Sequence, residues 1–116
     1  MKFITWNVNG IRAVERKGEI QKLVDEERPD FLFLQEIKGT REQFSKYLVE
    51  NPDYAQYYHS AEKKGYAGSG IWVSSDVHAS LDGAEFRTDV PRMPNADEGR
   101  VSWLSFRHAG RVVDLF

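Results

Sequence analysis

The chain has 116 residues, enough for one domain with a modest core, and its 41% hydrophobic and 29% charged residues match a folded globular protein. It has no cysteine, which excludes a disulfide framework, a thiolate metal site and a cysteine nucleophile, and fits a reducing, cytoplasmic setting. A formal net charge of -2 supplies no global attraction to polyanions, so a nucleic-acid role needs a local cationic surface, and no apolar run approaches the roughly 20 residues of a membrane span.

Lys2 to Trp6 are mostly β-branched and aromatic and give way to Asn7-Val8-Asn9-Gly10, whose members tolerate turns, so a strand running into a loop is predicted. From Ala13 to Glu27 the apolar positions Ile20, Leu23 and Val24 recur at helical spacing; Gly18 weakens the first half, and Pro29 forces an end just after Arg28. Phe31-Leu32-Phe33-Leu34 is too short for a helix and reads as a strand buried on both faces. Strand, helix, strand predicts a parallel pair joined by a right-handed crossover. Thr40-Arg41-Glu42-Gln43 has a capping-box pattern and predicts a short helix carrying Phe44, Tyr47 and Leu48, stopped by Asn51-Pro52.

After Pro52 the pattern becomes sheet-like, with strands expected over Tyr54 to Tyr58, Gly70 to Ser74, Val101 to Phe106 and Val112 to Phe116. Thr88 to Gly99, with Pro91, Pro94 and Asn95, lacks periodicity and predicts an exposed loop. Arg107-His108-Ala109-Gly110 predicts a tight hairpin that makes the last two strands antiparallel. The final apolar strand has no polar residue after it and reads as a truncation, because termini usually lie at the solvated surface. Residues 1–116 are therefore expected to be the N-terminal portion of a longer domain.

Asn7 and Glu36 each follow a strand of the predicted parallel pair, and open α/β sheets bind ligands at the carboxyl ends of their strands. A carboxylate and a carboxamide are hard oxygen donors suited to magnesium or manganese, which take one or two carboxylates and complete their shells with water and phosphate. The pairing points to phosphoryl chemistry. Taken alone, a glutamate after a strand is more often a solvated loop residue, and Asn7 and Asn9 are more often turn formers.

Read together, Ile4-Thr5-Trp6-Asn7-Val8-Asn9-Gly10-Ile11-Arg12-Ala13 and Pro29-Asp30-Phe31-Leu32-Phe33-Leu34-Gln35-Glu36-Ile37-Lys38 closely resemble the opening of exonuclease III and the AP endonucleases, within the endonuclease/exonuclease/phosphatase superfamily. Lys64-Gly65-Tyr66-Ala67-Gly68-Ser69-Gly70-Ile71 resembles that family's loop and following strand, and Asp97-Glu98-Gly99-Arg100-Val101 its next strand start. These words keep the family order and span nearly the whole chain. The resemblance implies an α/β fold, one half of a four-layer αββα sandwich, with a mixed β-sheet carrying helices on one face. The other sheet face would need a partner, either a second copy or a complementary C-terminal half.

By the same resemblance Asn7 and Glu36 are catalytic residues, with Glu36, Asn7 and Asn9 at a Mg2+ or Mn2+ site. Arg12, Ala13, Lys38, Gly65, Tyr66 and Arg100 match positions that face DNA, where cations pair with phosphate and a glycine permits close backbone approach. The implied activity is metal-dependent hydrolysis beside abasic sites in double-stranded DNA, as AP endonuclease or 3′-5′ exonuclease in DNA repair. The family's remaining site residues fall after Phe116, so this chain alone is expected to be nearly inert. Alternative readings are a non-catalytic fragment or assembly module, or a phosphatase of the same superfamily. His59, His78 and His108 match no catalytic position.

Overall fold

A computed structural model of the chain describes residues 1–63, 65–88 and 100–116. Strands β1 (Phe3–Asn7) and β2 (Phe31–Gln35) run parallel, with Phe3 opposite Phe31 and Asn7 opposite Gln35. Strands β3 (Tyr54–His59) and β4 (Ser69–Ser74) complete a mixed sheet of order β1-β2-β4-β3, in which β4 is antiparallel to both neighbours. The two central strands are buried on both faces, which is why Phe31 to Leu34 and Gly70 to Val73 are nearly continuous apolar runs rather than alternating ones.

One face of this sheet is covered by helices α1 (Ile11–Arg16), α2 (Glu19–Glu27) and the single turn α3 (Lys46–Val49). Ile11, Ile20, Leu32, Leu34, Ile37, Leu48 and Trp72 are fully buried in the core between them. The one helix predicted from Ala13 to Glu27 is two: Gly18 adopts φ +73°, a left-handed conformation that ends α1 and lets α2 leave at a new angle. The helix predicted after Thr40 is also divided. A 3-10 turn at Arg41–Gln43 accepts half of the capping box, the Gln43 side chain receiving the Thr40 amide at 3.0 Å, and extended backbone at Phe44 then separates it from α3.

The opposite sheet face, expected to be bare, carries a second sheet, and this corrects the single-sheet picture. Helix α4 (Ser75–Ser80) leads into β5 (Asp82–Arg87), followed by β6 (Trp103–His108) and β7 (Arg111–Leu115), in antiparallel order β5-β6-β7. Leu104 and Phe106 meet Phe31, Ile71 and Val73 in a core of their own. Phe86 of β5 stacks on Tyr57 of β3 at 5.2 Å, and Phe106 of β6 lies 6.3 Å from Phe31 of β2. The chain is thus α/β with helices on one face of a mixed sheet and a smaller sheet on the other. The loop expected at Thr88 to Gly99 lies, apart from Thr88, outside the described residues, as does the Asp97-Glu98-Gly99 word. Ala109 and Gly110, with φ +50° and +76°, form the predicted two-residue hairpin between β6 and β7.

Because β5 overlies β3, the two sheets place β1 and β7 on the same side of the sandwich, each as the edge strand of its sheet. Phe3 remains 52% exposed there, stacked on Phe31 at 4.9 Å.

Candidate active site

Parallel pairing brings the carboxyl ends of β1 and β2 to one edge, and the pairing continues past the strands. The amide of Val8 donates to the Gln35 carbonyl at 3.0 Å, Gly10 to Glu36 at 2.8 Å and Ile11 to Ile37 at 3.0 Å. On the other flank Ile37 donates to the Gly68 carbonyl at 3.2 Å and Lys38 to Ala67 at 2.8 Å. Ile37 is fully buried, and Gly68 presses against it so closely that an added Cβ would fall 2.6 Å from Ile37 Cγ1.

This two-sided clamp holds an unusual backbone. Asn9, Glu36 and Lys38 have φ of +46°, +53° and +51°, the left-handed region that glutamate and lysine rarely enter. With Ile37 in the core, Glu36 and Lys38 direct their side chains towards Asn7 and Asn9. Asn7 Nδ2 donates to Glu36 Oε1 at 3.0 Å while Asn7 Oδ1 accepts the Asn9 amide at 3.1 Å, so both ends of the Asn7 carboxamide are engaged. Lys38 Nζ donates to Asn9 Oδ1 at 2.5 Å and lies 3.8 Å from Glu36 Oε2. Both charged side chains are about two-fifths exposed, so their attraction is screened and worth at most about 1 kcal/mol.

Arg12, at the start of α1, donates from Nη2 to the Lys38 carbonyl at 3.1 Å, which fixes the root of Lys38. Five of the nine positions singled out in the sequence, Asn7, Asn9, Arg12, Glu36 and Lys38, therefore form one hydrogen-bonded cluster. Ala13 follows Arg12 in α1. Gly65 (φ +72°) and Tyr66 stand in the loop leading to Ala67 and Gly68; Tyr66 is 50% exposed and has Lys63 Nζ 4.5 Å from its ring centre. Arg100 is exposed and, with Thr5, Gln35, Ser69, Ser102 and Phe116, lines a cavity of about 440 Å³ between the sheets.

The donor set fits a hard divalent cation. Glu36 Oε2 and Asn9 Oδ1 both face the Lys38 ammonium, so a positive centre already stands at this point, and one carboxylate with one carboxamide is sufficient protein ligation when water and phosphate fill the remaining positions. Among the described residues no group of three or more histidine and acidic side chains converges, and Glu36 is the one carboxylate in the hydrogen-bonded cluster.

The sequence reading placed Lys38 among the groups facing DNA and did not foresee its ammonium inside the cluster; the only signal was the alternation of Glu36 and Lys38 around an apolar Ile37. The histidines have structural partners or none that matter to the cluster. His59 donates Nδ1–H to the Val101 carbonyl at 2.9 Å, and His78 Nε2 lies 2.6 Å from the Tyr57 hydroxyl, while His108 is exposed next to the hairpin turn. Burial raises the pKa values of Tyr54, Tyr57 and Tyr58, and that of Tyr47 rises to about 12 through burial and then nearby Asp25.

The sequence profile of the endonuclease/exonuclease/phosphatase family matches residues 4–112, which includes every member of the cluster. The chain belongs to this family. Among family members, an exodeoxyribonuclease of Bacillus subtilis (strain 168) is 34% identical over 108 residues, covering 93% of this chain and 39% of the relative. A DNA-(apurinic or apyrimidinic site) endonuclease of Dictyostelium discoideum is 32% identical over 106 residues, covering 91% of this chain and 27% of its own length. The crystal structure of an AP endonuclease from Leishmania major superposes with a TM-score of 0.75 at 25% identity, across 97% of this chain and 38% of that one. The chain thus spans well under half the length of the family members it matches.

Proposed function

We propose that this chain is the metal-holding portion of a nuclease that hydrolyses a phosphodiester beside abasic sites in double-stranded DNA. The observation that carries the reading is the Asn7–Glu36 hydrogen bond, which sets a carboxylate at the strand ends of a family fold whose named relatives are exodeoxyribonucleases and abasic-site endonucleases. Glu36 Oε2 and Asn9 Oδ1 are the atoms that would hold Mg2+ or Mn2+, with Asn7 fixing the rotamer of Glu36. When bound, such an ion offsets charge developing on the phosphate. Arg12 and Lys38 supply cationic contacts to the DNA backbone, and Gly65, Tyr66, Ala13 and Arg100 line its approach. The cluster itself offers no base to activate water, so turnover requires groups from a complementary C-terminal portion; a second copy docking along the β1 and β7 edges is the competing assembly.

The test is incision of a duplex carrying one abasic site, with this chain alone and with a C-terminal portion of a relative supplied. Cleavage is expected only with both pieces and a divalent ion. Glu36→Ala in that mixture should lower the rate by at least about 100-fold, the scale seen when one electrostatic stabiliser is removed. Full incision by the Glu36→Ala mixture would overturn the metal placement, and preferential release of phosphate from phosphorylated lipid headgroups would favour the phosphatase reading.

A further inference from the structure

Resting on the reading of Glu36 as the cation holder, we propose that Lys38 is the site's built-in counter-ion: its ammonium occupies the cation position and is expelled when a divalent metal binds, which frees it to grip the DNA backbone. Three observations carry this. The ammonium sits on the two oxygens that fit a hard cation, 2.5 Å from Asn9 Oδ1 and 3.8 Å from Glu36 Oε2. A divalent ion on those atoms would repel an ammonium held only a few ångströms away, so metal entry drives the ammonium out.

Second, the position of Lys38 is imposed by its main chain. Its amide is bonded to Ala67, its carbonyl to Arg12, and its φ of +51° is held between them while Ile37 anchors the preceding residue in the core. The root is fixed, but a lysine carries its ammonium on a flexible four-carbon stem, so the ammonium can leave by a change of rotamer. Third, the lysine side chain is about two-fifths exposed, so the way out into solvent is open. The displaced ammonium then stands at the lip of the site beside Arg12, where a phosphate meets two cations. Metal binding and backbone binding are thereby linked, and linkage between two ligands is reciprocal.

Mn2+ binding to the 116-residue chain, read from the free-ion electron paramagnetic resonance signal, tests the exchange. Lys38→Met keeps the stem and removes the charge; it should tighten Mn2+ binding by roughly 5-fold or more, the usual scale of a site-to-site coupling. Lys17→Met removes an equal charge from an exposed lysine outside the cluster and should change affinity by less than about 2-fold. The Lys38→Met effect should persist in high salt, which screens distant charges but not contact exchange. In parallel, the Lys38 side-chain nuclear magnetic resonance signal should shift on Mg2+ addition in the wild type and not in Glu36→Gln. Equal Mn2+ affinity in wild type and Lys38→Met, with both losing binding on Glu36→Gln, overturns the counter-ion role and leaves the metal site standing. Binding that survives Glu36→Gln unchanged, or no binding by any of these proteins, removes the metal site and this proposal together.

Discussion

Tyr58 joins three elements through one oxygen: its hydroxyl donates to the Leu48 carbonyl at 2.6 Å and accepts the Trp72 indole N–H at 2.9 Å. Tyr58→Phe leaves both partners unmade against a fully buried tryptophan, and is expected to cost about 1–3 kcal/mol in urea unfolding. Gly68 offers a contrast with Gly65, since both have positive φ but only Gly68 is crowded. Gly68→Ala must displace Ile37 as well as strain the backbone, so it should lose distinctly more stability than Gly65→Ala, whose cost is of the order of 1 kcal/mol from conformation alone. Equal losses would show that the clamp around Ile37 yields easily. Asn7 and Glu36 were legible in the sequence because each closes a recognisable strand. The left-handed backbone of Glu36 and Lys38 was not, because nothing in their residue types favours it; the Ala67 and Gly68 carbonyls, about 30 residues away, impose it.

At the scale of elements, the parallel β1–β2 pair and the final hairpin follow from local patterning and turn chemistry, and both stand as read. The misreadings have physical causes. Gly18 has helical neighbours on both sides, and only the packing of Ile11 and Ile20 on one sheet decides that the chain bends there. Helix α4 is announced only by Ser74, whose hydroxyl accepts the Val77 amide at 3.4 Å, and β5 has just Ala84 and Phe86 as its packed apolar residues. Strand β3 carries three of the four tyrosines with raised pKa, so its packing should report on alkaline pH. These groups are held neutral in the fold and ionise near pH 10 when unfolded, so their contribution is complete below about pH 10 and is lost as pH rises through the folded values, about 12 for Tyr47. Unfolding midpoints should therefore stay level up to about pH 10 and fall above it; a midpoint still level well above that point would contradict the burial of these rings.

The whole molecule is a sandwich of two sheets. Its edge strands β1 and β7 leave Phe3, Val112 and Phe116 more than half exposed at 52%, 59% and 68%. Trp103 stacks on Phe116 at 5.2 Å, so its fluorescence should change when a complementary C-terminal portion docks, and that change should saturate at the same ratio of pieces as abasic-site incision. Incision without a fluorescence change would place the docking surface elsewhere. The apolar sheet face expected to need a partner is largely covered by the small sheet. The order of strands carries one more consequence, for a chain made from its amino end. Asn7 and Glu36 leave the ribosome before the carbonyls that lock Glu36 to Lys38, which belong to the residues just ahead of β4, the strand that must insert between β2 and β3. A nascent chain therefore carries its acidic anchor unset until the residues ahead of β4 have emerged and paired.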